Sequence, residues 1–277
     1  MITQKRIDGL NYLEIKNSNA TAKIALQGAH LFEYKRPHQA PLIWLSKTAQ
    51  FQKNKAIRGG IPICWPWFGA HPVDTSLPNH GFARTMEWTY EKGEEVDDGK
   101  TKIVLGLKDN EETLTLWPYA FELTLEIYIA DTLELILQTK NCSDEAFEIS
   151  EALHTYFHVD AISDTLVHGL EGKQYFNKLD KSYDNVQSRA LVIENEVDRV
   201  YFEAYDPIEI VGMKGKISIK SEGSASAIVW NPWAQRINEM PDMSGYKQML
   251  CIESGNVLHE CVKVMPNETH LLKVSYS

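Results

Sequence analysis

The chain is patterned on a period of two. From Phe121 to Ala130 the run FELTLEIYIA sets Phe121, Leu123, Leu125, Ile127 and Ile129 on one side, and Glu122, Thr124, Glu126 and Tyr128 on the other. This alternation predicts a strand with one buried and one wetted face, because successive side chains leave a strand on opposite sides. The next run, TLELILQTK, keeps Leu133, Leu135 and Leu137 in phase, and the Ala-Asp pair before it predicts a hairpin. Shorter runs of the same kind recur as NYLEIKN, TAKIALQ, TKIVLGL, KISIKS, SAIVW, MLCIES and HLLKVSY. Only SKTAQFQKN, Ser46 to Asn54, reads as a helix. Many short strands separated by turn residues predict an all-β fold of antiparallel sheets, a sandwich or a barrel. No repeat, low-complexity tract or Pro/Gly/Ser-rich linker interrupts the pattern, so residues 1–277 are expected to form a single domain. The charged patch GEEVDDGK, Gly93 to Lys100, is expected at a solvated hairpin tip.

Composition narrows the partners. The 28 Lys and Arg against 38 Asp and Glu give a net charge of −10, with no basic cluster. Nucleic-acid binding needs gathered cations to neutralise phosphates, so that class is set aside. One small anion would need only one or two well-placed Arg. Cys64, Cys142, Cys251 and Cys261 contain no C-x-x-C pair and are read as free, buried thiols, not as disulfides or zinc ligands. The start, MITQKRIDGLNYLEIKN, has no apolar core of a secretory signal. The most apolar loop, IPICWPWFGA, is too short for a membrane span and holds two prolines. A cytoplasmic protein without membrane contact is expected, and the sequons at Asn141 and Asn267 are read as chance.

Three segments break the alternation: RGGIPICWPWFG (Arg58 to Gly69), PNHGFAR (Pro78 to Arg84) and EALHTYFHV (Glu151 to Val159). They concentrate Gly, Pro, aromatics, His and Arg, the residues with which loops on a β scaffold build sites. EALHTYFHV reads as one strand carrying two histidines. His154 and His158 would then share a face but lie about 13 Å apart, too far to hold one metal ion. No metal site is expected, and GSASA at Gly223 lacks the closing glycine of a nucleophile elbow. The first ~50 residues and the stretch from His168 to Asn195 carry no motif and are read as scaffold.

Taken together and in order, RGGIPICWPWFG, NHGFAR, WPYAFEL, EALHTYFHV, EVDRVY, VWNPW and MSGYKQMLCIES resemble the hexose-6-phosphate branch of the aldose 1-epimerase (mutarotase) family. The resemblance implies a galactose-mutarotase-like β supersandwich with its cleft on one sheet face. It implies interconversion of the α and β anomers of glucose 6-phosphate, with other hexose 6-phosphates left open as substrates, and acid–base ring opening of this kind needs no cofactor. By position, His154 matches the family's catalytic acid and Glu253 its catalytic base. Asp198 matches a substrate-binding carboxylate, His80 a supporting histidine, and Arg58 and Arg84 the phosphate-side arginines. Asn79 joins the substrate-binding set and stands where some relatives carry Gln.

The chemistry agrees with those residue types. Opening a sugar hemiacetal removes a proton from the anomeric hydroxyl and delivers one to the ring oxygen, work suited to a carboxylate and an imidazolium. Glu253 ends the apolar run MLCI, so partial burial is expected to raise its pKa. Arg58 and Arg84 offer planar forks of donors to a phosphate, and Gly59, Gly60 and Gly81 beside them are read as allowing close backbone approach. Trp65 and Trp230 could face the sugar, although core packing is the plainer role for each. Competing readings are an epimerase of free aldoses, a non-catalytic carbohydrate-binding module and a glycoside hydrolase using Glu253 with Asp198. A module has no need of both His154 and Glu253, and a hydrolase leaves His154 without a task. The expected partner is a small sugar phosphate, and a monomer is expected.

Overall fold

The computed structural model describes residues 1–96, 99–213 and 215–277. Among these residues the strands form a nine-stranded sheet, an eight-stranded sheet, a four-stranded sheet and a two-stranded ribbon. Every ladder pairing is antiparallel, as the hairpin-rich sequence requires. The alternating run folds as Phe121–Ile129, buried at Phe121, Leu123, Leu125, Ile127 and Ile129. It turns into Leu133–Asn141 and pairs along its whole length, from Ile129↔Leu133 to Phe121↔Asn141. The hairpin Thr89–Val96 and Lys100–Lys108 also forms, whereas its tip residues Asp97 and Asp98 lie outside the described residues.

The two large sheets share a core. Leu123, Leu125, Leu135, Leu137, Leu272 and Val274 of the nine-stranded sheet pack into one cluster with Val197, Tyr201, Ala227, Val229, Leu250 and Ile252 of the eight-stranded sheet. Because side chains alternate, the residues between those on the second sheet leave by its other face. That face carries Asp198, Trp230 and Glu253, and it is where the site is built.

Three expectations need correction. Ser46–Asn54 forms turns, not a helix; a six-residue helix occurs instead at Glu111–Leu116. There Asn110 caps the end by accepting from the Thr113 amide, and Glu111 and Glu112 complement the positive end of the dipole. EALHTYFHV is not one strand: Glu151–Leu153 and Tyr156–His158 are separated at His154 and Thr155, where the Thr155 amide turns back to the Leu153 carbonyl. Of the four free thiols, Cys64 and Cys251 are buried, but Cys142 is exposed and Cys261 half-buried, since both follow loop backbone at the ends of elements.

Candidate active site

A cleft of about 770 Å³ opens on the outer face of the eight-stranded sheet. Arg58, Asn79, His80, Arg84, His154, Asp198 and Glu253 all line it. Its floor is set by strand register. Asp198 on Val197–Tyr201 lies opposite Trp230 on Ser226–Asn231, and Glu253 on Met249–Asn256 lies opposite Ile228 of the same central strand. The walls come from the two loop segments, with Arg58, Pro62 and Phe68 from one and Asn79, His80 and Arg84 from the other. A second cavity, of about 580 Å³, gathers Arg36, His158 and Asp160 but none of these residues. His154 and His158 therefore serve different parts of the molecule.

His154 Nε2 lies 3.3 Å from Glu253 Oε1. The glutamate is 1% exposed and the histidine 8%. Burial pushes Glu253 well above the usual carboxylate range; Lys178 and Arg84 pull it back while Asp198 adds to the rise. Burial likewise pushes His154 well below the usual imidazole value, helped by His80, Arg84 and Arg58. The two shifts act together to keep one proton on the pair, because a second is hard to add and the last is hard to remove. Glu253 Oε2, His154 Nδ1 and Asp198 Oδ1 are buried with no hydrogen-bond partner among the described residues. Buried polar atoms left unpaired are costly, and a ligand rich in hydroxyls would satisfy them.

The tautomer of His80 follows from its neighbours. Its Nδ1 accepts the Gly69 amide at 3.2 Å, so the neutral ring keeps its hydrogen on Nε2 and can donate. Burial and the charges of Arg84, Lys178 and Arg58 lower its pKa to about 3, so the ring is neutral at working pH. Phe68 meets it edge-on at 4.7 Å, and its ring centre lies 5.9 Å from that of His154.

The cations differ in how far they are already committed. Arg58 Nε is ion-paired with Asp242 Oδ2 at 3.2 Å, and its Nη1 donates to the Tyr156 hydroxyl at 3.2 Å. Arg84 Nη2 donates to the Asn79 carbonyl at 2.7 Å, and no carboxylate among the described residues forms an ion pair with it. Asn79 thus contributes its backbone to holding Arg84 while its exposed residue lines the cleft. Arg84 is the freer anion ligand of the two.

The scaffold assignments for the unmarked segments do not hold throughout. Lys178 and Leu179, from the stretch without a motif, line the cleft. Lys178 reaches Asp198 Oδ2 at 3.1 Å and lies over the Phe68 ring at 5.4 Å. A lone Lys in a polar turn gives no sequence signal, and only the hairpin geometry brings it to the sheet face. Asp242 was missed for the same reason. The glycines beside the arginines serve packing, not ligand approach. A Cβ on Gly59 would fall 2.6 Å from the Trp44 carbonyl oxygen, and one on Gly81 would overlap the Trp65 carbonyl. Trp65 is fully buried in the core, and Trp230 alone of the two lines the cleft.

An antiparallel β-sandwich with a buried imidazole–carboxylate pair in a cleft on one sheet face is the arrangement of an acid–base enzyme. Residues 12–277 match the family profile described as aldose 1-epimerase, and the chain belongs to that family. A provisionally named glucose-6-phosphate 1-epimerase of Escherichia coli K12 is 33% identical over 261 residues, 92% of this chain and 86% of the relative. One from Cenchrus ciliaris, named in the same way, is 36% identical over 267 residues, 91% of this chain and 80% of the relative. The crystal structure of a provisionally assigned mutarotase from Salmonella typhimurium superimposes with a TM-score of 0.92 at 28% identity, covering 99% of this chain and 92% of that one. A galactose mutarotase-like protein of Clostridium acetobutylicum, at 14% identity and a TM-score of 0.77, covers 100% of this chain and 98% of its own, and shares the fold. Among the described residues no helix is long and apolar enough to cross a membrane.

Proposed function

We propose that this protein interconverts the α and β anomers of glucose 6-phosphate, with His154 and Glu253 as its acid and base. The observation that carries the reading is the 3.3 Å His154–Glu253 contact in a cleft that also holds Arg84, a guanidinium with no carboxylate ion-pair partner among the described residues. With the pair's one proton moved from Glu253 onto His154 across their 3.3 Å contact, Glu253 as carboxylate removes the proton of the anomeric hydroxyl while His154 as imidazolium protonates the ring oxygen. Each transfer contributes roughly 10²–10⁴-fold when the groups are well placed. The ring opens, the new aldehyde turns about its bond to the adjacent carbon, and closure on the other face returns both protons. The pair begins and ends with one proton, so the next cycle needs no outside acid.

Asp198, steadied by Lys178, accepts from sugar hydroxyls, and His80 Nε2–H donates to a sugar oxygen. Arg84 pairs with the phosphate, with Arg58 and the Asn79 loop beside it. The names of the relatives favour glucose 6-phosphate among hexose phosphates. The enzyme is read as a cytosolic monomer whose one partner is this small substrate.

Anomer exchange followed by NMR on glucose 6-phosphate tests the proposal. Exchange well above the buffer rate is expected. Exchange of free glucose alone would make it a free-aldose epimerase, and no exchange with either sugar would leave a binding module. Release of sugar from a glycoside would make it a hydrolase.

A further inference from the structure

Tyr156 is fully buried yet lines the cleft, and it touches both halves of the site. Its ring lies parallel to the His154 imidazole, 8° between planes and 4.8 Å between centres. Its hydroxyl oxygen accepts from Arg58 Nη1 at 3.2 Å. The arrangement is held from several sides. Trp44 stacks on Tyr156 at 5.8 Å and 18°, Trp230 meets it edge-on at 6.1 Å, and the Trp44 amide donates to the Tyr156 carbonyl at 2.9 Å. Between the stacked pair, Thr155 faces inward and its Oγ1 bonds the Tyr276 hydroxyl at 2.6 Å. Thr155 is thereby anchored to the opposite sheet, and His154 and Tyr156 on either side of it line the cleft.

Resting on the reading of the site given above, we propose that Tyr156 is the positioning residue that joins proton transfer to anion binding. Its ring fixes the plane of the His154 imidazole, and its hydroxyl fixes the Arg58 fork. The His154 imidazole is held at Nε2 by Glu253, 3.3 Å away, but its Nδ1 has no hydrogen-bond partner among the described residues, and one polar contact leaves the ring free to turn about it. The flat face of Tyr156 supplies the second restraint. Arg58 gains from Tyr156 and Asp242 two fixed points, so its planar fork meets a phosphate without first losing rotamer freedom.

Two variants separate the functions. Tyr156→Phe keeps the ring and loses the hydroxyl. It is expected to raise KM for glucose 6-phosphate about tenfold, as for loss of a hydrogen bond to a charged group, with kcat within twofold and free glucose unaffected. Tyr156→Leu removes the ring plane and is expected to lower kcat at least tenfold on both sugars. If Tyr156→Leu does not fold, Tyr156→Met serves in its place. Unchanged constants in Tyr156→Phe would overturn the anion role. Retained kcat in a folded Leu or Met variant would overturn the imidazole role, and equal kcat losses in both variants would reduce Tyr156 to packing. If the wild type does not epimerise glucose 6-phosphate, the functional reading fails by itself. The anion role is then judged by calorimetric binding of inorganic phosphate to wild type and Tyr156→Phe. The imidazole role is judged by the ring-nitrogen NMR shifts of His154 in wild type and the Leu variant.

Discussion

Glu253 and His154 face each other at 3.3 Å, one on the sheet and one at the break between two strands, in a pocket that disfavours charge on either. Burial displaces both toward their neutral forms, so the pair as a whole is expected to carry one proton over a wide pH range. Its behaviour with pH is therefore predictable from those directions.

The unit holds one proton over a wide range, so kcat/KM is expected to show a broad plateau. The acid limb should fall below the ordinary imidazole pKa, because burial and the nearby cations resist the second proton. The alkaline limb should fall well above the ordinary carboxylate value, because burial holds the last one. A pH series corrected for the substrate phosphate's own titration near 6 checks this. A limb centred on an ordinary glutamate pKa would mean that Glu253 titrates in an open environment.

Glu253→Gln should abolish anomer exchange, because an amide cannot take the proton. It should also stabilise the fold at neutral pH. Glu253 has a raised pKa when folded, so its contribution to stability is full below the unfolded value and is lost as pH rises through the folded one. Gln does not titrate and escapes that loss. The Tm of the variant relative to wild type is expected to climb between pH 5 and 8. A difference that stays flat across that range contradicts the desolvation cost.

Arg84→Ala should raise KM for glucose 6-phosphate by roughly 10- to 150-fold, since a hydrogen bond to a charged group is worth about 1.5–3 kcal/mol. Free glucose lacks the phosphate and should be nearly unaffected. Arg84 also holds the Asn79 carbonyl, so parallel damage on both sugars would instead mark it as a loop support.

Away from the cleft, His270 Nε2 bonds Oε1 of the wholly buried Glu151 at 2.7 Å. Burial draws the His270 pKa down, but the hydrogen bond and charge of Glu151, with the charge of Glu268, raise it overall. A raised histidine stabilises fully below its unfolded value near 6.5, and the gain is lost as pH climbs through the folded value. Wild type should therefore exceed Glu151→Gln in Tm at pH 6 by more than at pH 9. A constant gap would show that the ion pair adds nothing.

Much of this molecule is written in its local pattern. The strand Phe121–Ile129 buries the residues that alternation marks, because a period of two leaves only one way to cover an apolar face. The irregular segments around Arg58, His80 and His154 are visible as interruptions of that rule, and the resemblance they carry names the residues that line the cleft. The helix Glu111–Leu116 was not read from the sequence: it has an Asn110 cap and an acidic first turn, but fewer than two turns of helix are too short to show a period.

What sequence could not supply is the meeting of distant chain. The pairing of Asp198 with Trp230 and of Glu253 with Ile228 puts side chains from three strands on one face, a result of register between segments far apart. Lys178 beside Asp198, Asp242 on Arg58 and Tyr156 between His154 and Arg58 all depend on that register. So do the displaced pKa values, because burial is a property of the assembled sheets. Residue type and spacing determined which groups could do the chemistry. The packing of the two sheets decided which of them meet in one cleft, which are buried there and which side chains from distant segments lie against them.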